Sequence, residues 1–334
     1  MSLRRSVGAC CRLAEIDFLK IDAEGEEARI LAGGQRFLAE LSPLVQYEVK
    51  AGAAFRIELV QAFAVLGYTS YRLVPGLNLL VRFDVRAQPD GYLLNLFCCK
   101  PDRAARLAQQ GFLLDSPLLM TVESDARRAV LSQKFGAQEA YGWQQLLGGR
   151  PYGAQFLPNW RAAVASRPHL EQGEALRWHA VSQDQALAVA DRFAALEYSV
   201  LGLLVLCKQQ PSAALLASLA RVAQEYGART LAVRALNHLF DLATKTGQLD
   251  LSLPFLAPGS RFDSVDPRGA LGPWMLAAML EELERLASFS SCYSGSSDLP
   301  RLLRIRDLGY GSAEMVRRLG LVQRRFGSSA KAGG

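Results

Sequence analysis

Three carboxylates, Asp22, Glu24 and Glu48, stand where side chains could do chemistry. The apolar run Ile16–Ile21, IDFLKI, has the length of a strand and stops at Asp22. Glu24 and Gly25 then lead into a helical pattern in which Ile30, Gly34, Phe37, Leu38 and Leu41 share one face at three- and four-residue spacing. Glu26 and Glu27 fall in its first turn, at the positive end of the helix dipole. A second strand-like run, Pro43–Val49 (PLVQYEV), carries Glu48 near its end. In an open α/β sheet the carboxyl ends of the strands are where ligands bind, which makes Asp22 and Glu24 the first candidates. Carboxylates grouped there can take a proton from a substrate or, in twos and threes, hold a divalent cation. The structural alternative is that they cap the helix and tie down the turn, and no metal is assigned to them.

The stretch KIDAEGEEARILAGG resembles the signature of FkbM-type methyltransferases. In that family a K-I-D-x-E-G-x-E run closes the fourth strand of a Rossmann-like sheet, and Lys20, Ile21, Asp22, Glu24, Gly25 and Glu27 fill it here. The run ending in Glu48 resembles the family's fifth strand. The resemblance covers roughly the first third of the chain. It implies methyl transfer from S-adenosylmethionine to a hydroxyl of a saccharide or similar small molecule. On that reading Asp22 is the first choice for general base or hydroxyl acceptor, Glu24 the second and Glu48 the third. The family's glycine-rich turn, which holds the cofactor, has no counterpart here. Fifteen residues precede Ile16, too few for further strands and crossovers when one βαβ unit takes about 30 residues. The cofactor half is therefore expected to be missing, as in a fragment or a remnant, with the flank of the first strand exposed.

Composition sets wider bounds. The 334 residues are half hydrophobic and about a fifth charged, as in a globular protein with an ample core. The net charge is +6, and residues 301–334 carry eight basic side chains against two acidic ones, which accounts for the whole excess. That basic tail reads as a solvated helix and frayed end, since no nucleic-acid motif or run of aromatics accompanies it. The six cysteines include no C-x-x-C pair and are expected to be reduced, in a cytoplasmic protein. The most apolar run, Ser199–Cys207, is far short of the ~20 residues of a membrane span, and the first fifteen residues lack the core of a signal peptide.

The fold class expected is α/β, a partial Rossmann-like methyltransferase sheet followed by an all-α helical array. Residues 1–115 form the sheet-bearing part, 116–150 a helical connector and 151–334 the array with its basic tail. Tyr68–Val74, Leu77–Phe83 and Tyr92–Cys98 read as extended segments closing the sheet, with Asn78 and Asn95 as polar residues inside apolar runs. They are either satisfied core residues or contacts to a substrate. Beyond Pro101 helical patterns dominate. Gly148–Pro158 reads as a hinge, Ser182 with Gln185 as a capping box for a helix reaching Cys207, and Pro254–Pro273 as a long polar loop. The array looks like stacked helical hairpins without a regular repeat, suited to binding an acceptor or a protein partner. His169, His179 and His238 lack metal-ligand spacing and are read as structural. The rival to an enzyme is a non-catalytic interaction scaffold built on a degenerate half-domain.

Overall fold

A computed structural model describes residues 16–23, 25–51, 54–115, 123–135, 138–166, 171–246, 249–287 and 298–326. The chain divides into two compact units, Met1–Ser124 and Asp125–Gly334. The first is an α/β unit and the second an array of helices.

In the first unit β1 (Phe18–Ile21) is followed by α1 (Glu27–Glu40), β2 (Leu44–Glu48), a short ribbon of β3 (Lys50–Ala51) and β4 (Ala54–Phe55), and α2 (Ile57–Val65). Then come β5 (Thr69–Val74), β6 (Leu79–Arg82), β7 (Asn95–Cys99), α3 (Pro101–Gln109) and β8 (Leu113–Leu114). The six-stranded sheet has the order β1-β2-β7-β5-β6-β8. β1 and β2 are parallel, and β7 slots between β2 and β5 antiparallel to both. β5 and β6 form an antiparallel pair and β8 runs parallel to β6.

Period-two patterning explains both faces. Val45 and Tyr47 of β2, with Val49 just after it, point into a core that includes Leu31, Leu38, Leu59 and Phe63 of α1 and α2. Tyr47 and Phe63 meet there with ring centroids 4.5 Å apart. The two cysteines of β7 face opposite ways, Cys98 into this core and Cys99 into a second one with Tyr71, Leu80, Ala104 and Leu113. Helix α1 runs unbroken through Gly33-Gly34, and its buried anchors are Leu31 and Leu38, seven residues apart. Among the described strands β1 is outermost, and Phe18 is about half exposed.

Helix α4 (Glu123–Phe135) begins two residues before the second unit, which continues with α5 (Trp143–Gly148), α6 (Pro151–Ala165), α7 (Glu171–Gln183), α8 (Val189–Gln209), α9 (Ala213–Tyr226), α10 (Arg229–Thr246), α11 (Leu271–Leu286), α12 (Leu299–Leu308) and α13 (Ala313–Phe326). From α7 onward each helix packs on the next. Three local readings are corrected. Gly148–Pro158 is no hinge: Pro151 opens α6 and Pro158 lies inside it. Ser182 caps nothing, because its hydroxyl donates to the His179 carbonyl at 2.7 Å within α7, and α8 starts at Val189. The stretch after Pro254 is not a solvated loop, since Phe255, Leu256, Ala257 and Phe262 are fully buried. Its backbone is satisfied by side chains: the Leu256 N–H donates to Ser218 Oγ at 3.0 Å, and the Ala257 N–H to the Tyr152 hydroxyl at 3.2 Å.

Candidate functional site

Candidate residues meet at the carboxyl end of β1. The parallel register pairs Lys20 with Gln46 and Ile21 with Tyr47, and continued by one residue it sets Asp22 beside Glu48. The antiparallel register on the other side of β2 sets Glu48 opposite Asn95, the first residue of β7. Asp22, Glu48 and Asn95 thus come together at adjacent strand ends on one sheet edge. Asn78 lies in the turn between β5 and β6, further from β1, exposed and in the left-handed region at φ 50°. Glu24 is outside the described residues.

Asp22 is ionised and reachable from solvent. Its Oδ2 is 2.8 Å from Lys20 Nζ, and the two side chains are 43% and 53% exposed. The hydrogen bond from Lys20 is the main reason the carboxyl lies below its ordinary value. The Lys20 charge and a hydrogen bond with Glu48 add to it, while the small burial opposes it. Asp22 in turn pushes the Lys20 ammonium up. A carboxylate of this kind accepts hydrogen bonds readily, and it becomes a stronger base when Lys20 swings away.

Beside it is a carboxylate that the sequence placed in the FkbM-like signature and in the first turn of the helix, without a role at the site. Glu27 opens α1, is 2% exposed, and turns its side chain back onto the preceding turn. Its Oε1 accepts the N–H groups of Ala23 at 3.0 Å and Gly25 at 3.2 Å, and its Oε2 is bonded by Arg56 Nη1. Burial opposes its ionisation, but the backbone donors and Arg56 prevail and hold the carboxyl below its ordinary value. The turn needs Gly25, whose φ of +103° is strained for any residue with a Cβ.

The histidines and cysteines show no catalytic arrangement among the described residues. His179 is buried on α7 against Glu225, His238 is exposed, and His169 lies outside the described residues. Burial pushes the thiols of Cys99 and Cys207 up to about 12, which leaves them poor nucleophiles, while Cys10, Cys11 and Cys292 lie outside the described residues. Among the described residues no cluster of His, Cys, Asp and Glu could hold a metal ion, and no helix is long and apolar enough to cross a membrane.

With this strand-end geometry in place, comparison with known families gives one match. Residues 11–69 match the family model of the methyltransferase FkbM domain. No curated protein and no solved structure matches the chain. The FkbM match takes in β1, α1, β2, the β3–β4 ribbon and α2, and with them Asp22, Glu27, Glu48 and Arg56. The match is thus to the family model over this stretch alone, and the helical unit lies outside it. The turn after β1 does not fit S-adenosylmethionine, the cofactor that family implies. The turn after β1 carries carboxylates and a single glycine, where a nucleotide-binding turn presents glycines and free backbone N–H groups. The N–H groups of Ala23 and Gly25 are already taken by Glu27.

Proposed function

We propose that the α/β unit is the acceptor side of an FkbM-like, S-adenosylmethionine-dependent O-methyltransferase. Its acceptor is a hydroxyl of a saccharide or similar small molecule. The observation that carries this reading is the ionised Asp22 at the end of a parallel strand, within a segment that matches a methyltransferase family. There Asp22 accepts the hydrogen bond of the acceptor hydroxyl and draws its proton as the oxygen becomes a nucleophile. Glu48 and Asn95, on the neighbouring strand ends, orient the rest of the acceptor. Glu24 keeps its place as second candidate from its position in the turn.

One observation favours a second reading, a non-catalytic interaction scaffold: the turn after β1 has one glycine, Gly25, and its Ala23 and Gly25 N–H groups are bonded to Glu27. Calorimetric titration of the folded chain with S-adenosylmethionine separates the two. Saturable heat, followed by transfer of a labelled methyl group to a saccharide that Asp22→Asn abolishes, supports the enzyme. No heat at millimolar ligand supports the scaffold.

A further inference from the structure

The strand-end turn and the end of β2 are joined by one chain of bonds. Arg56 donates its backbone N–H to the Val49 carbonyl at 2.8 Å, directly after Glu48. Its guanidinium reaches Glu27 and, at 3.2 Å, Glu58. Glu27 closes the path on the amides of Ala23 and Gly25. Burying a carboxylate is a costly way to satisfy two amides that an exposed serine or aspartate could cap. A buried ion pair is weak evidence of stabilisation and better suited to fixing one geometry.

We propose that Glu27 and Arg56 are positioning residues that lock the turn after β1 to the end of β2, holding Asp22 in register with Glu48. The proposal rests on the acceptor-side reading of Asp22, but its test does not require methyl transfer. Arg56 lies 29 residues from Glu27 in sequence, so the pair joins two segments that the sheet alone connects only through β1–β2 pairing. Neither residue touches an acceptor. Their effect on chemistry runs through the direction of the Asp22 carboxylate.

The test follows the Asp22 carboxyl by carbon-detected NMR titration and the Ala23 and Gly25 amides by hydrogen exchange, in the full chain. The variants are Arg56→Met, Arg56→Lys and Glu27→Gln. Arg56→Met is expected to speed exchange of both amides by about tenfold, the size of one lost hydrogen bond, and to move the Asp22 titration up toward the ordinary carboxylate range. Arg56→Lys restores charge without the guanidinium fork and rescues the titration only in part. Glu27→Gln keeps an acceptor for the amides while turning its own N–H groups toward Arg56, so the Asp22 titration shifts even where the amides stay protected. Faster amide exchange with an unmoved Asp22 titration in all three variants makes the pair a helix cap and overturns the proposal. Should the wild-type chain transfer no methyl group, the reading of Asp22 fails, while the NMR result still decides whether the clamp exists.

Discussion

Lys20 and Asp22 form a 2.8 Å ion pair at the end of β1, two residues apart in the chain and both substantially exposed. Their mutual hydrogen bond lowers the Asp22 carboxyl and raises the Lys20 ammonium. Replacing Lys20 by Met therefore lets the Asp22 titration rise. Because the folded value of Asp22 is depressed, whatever stability the pair lends is present above the unfolded value and lost as pH falls through the folded one. Both groups are exposed, and screening acts over about 8 Å at physiological salt. The upward shift in K20M is accordingly smaller in 1 M salt than in 0.05 M, by NMR titration at both. An Asp22 titration insensitive to K20M would remove the ion pair from the account of this site.

If Asp22 takes the acceptor proton, Asp22→Asn lowers the rate of methyl transfer by about 10²–10⁴-fold, with little change in thermal stability because the side chain is substantially exposed. Comparing kcat of the folded variant with wild type, alongside its melting curve, checks this. Equal rates assign the proton to another group.

Gly25 is replaceable only at a conformational penalty. Its φ is +103°, and a Cβ built there meets nothing within 4 Å, so Gly25→Ala suffers from backbone strain and not from crowding. The expected loss is about 1–2 kcal/mol in urea unfolding. Gly153 is the opposite case: a Cβ there would stand 2.7 Å from the Leu147 carbonyl carbon, backbone against backbone. Gly153→Ala should lose about 3 kcal/mol, and a neutral result would mean that α5 and α6 sit further apart than described.

The legible parts of the site were those written in local pattern. An apolar run that stops at an aspartate and gives way to a helical period locates Asp22 at a strand end without any knowledge of its neighbours, and the β1–β2 pairing bears this out. Glu27 had a place in the signature and in the helix's first turn, but nothing local named its partner: Arg56 is distant in sequence, and the burial that gives the pair its meaning exists only after folding. Ser182 shows the reverse error. Its spacing to Gln185 imitates a capping box, yet Asp184 accepts the Ala186 N–H at 2.9 Å and starts a turn, which delays the helix to Val189. The stretch after Pro254 reads as a loop by its prolines. What pattern cannot reveal is that Tyr152, Gln172 and Ser218, from three different helices, satisfy its carbonyls and amides and let it serve as core.

The helical unit holds a part-buried network of charges whose pH dependence is fixed in sign. Glu225 Oε2 lies 2.8 Å from His179 Nε2 and its Oε1 is bonded by Arg221, whose Nη2 is 3.0 Å from Asp263; Arg150 reaches Asp263 at 3.0 Å as well. Burial opposes ionisation of Glu225, but His179 and then Arg221 outweigh it and hold the carboxyl down at about 2. The folded value is below the unfolded one, so the stabilisation is complete above the ordinary glutamate range and drains away as pH falls toward about 2. Glu225→Gln removes it, at a loss of about 3 kcal/mol near neutrality. Urea midpoints of wild type and variant should differ most at pH 7 and converge as the pH approaches 2. A gap that stays constant down the pH scale would show that Glu225 acts by shape and not by charge, and that Arg221 finds sufficient partners in Asp263 and, at 3.5 Å, the Ala257 carbonyl.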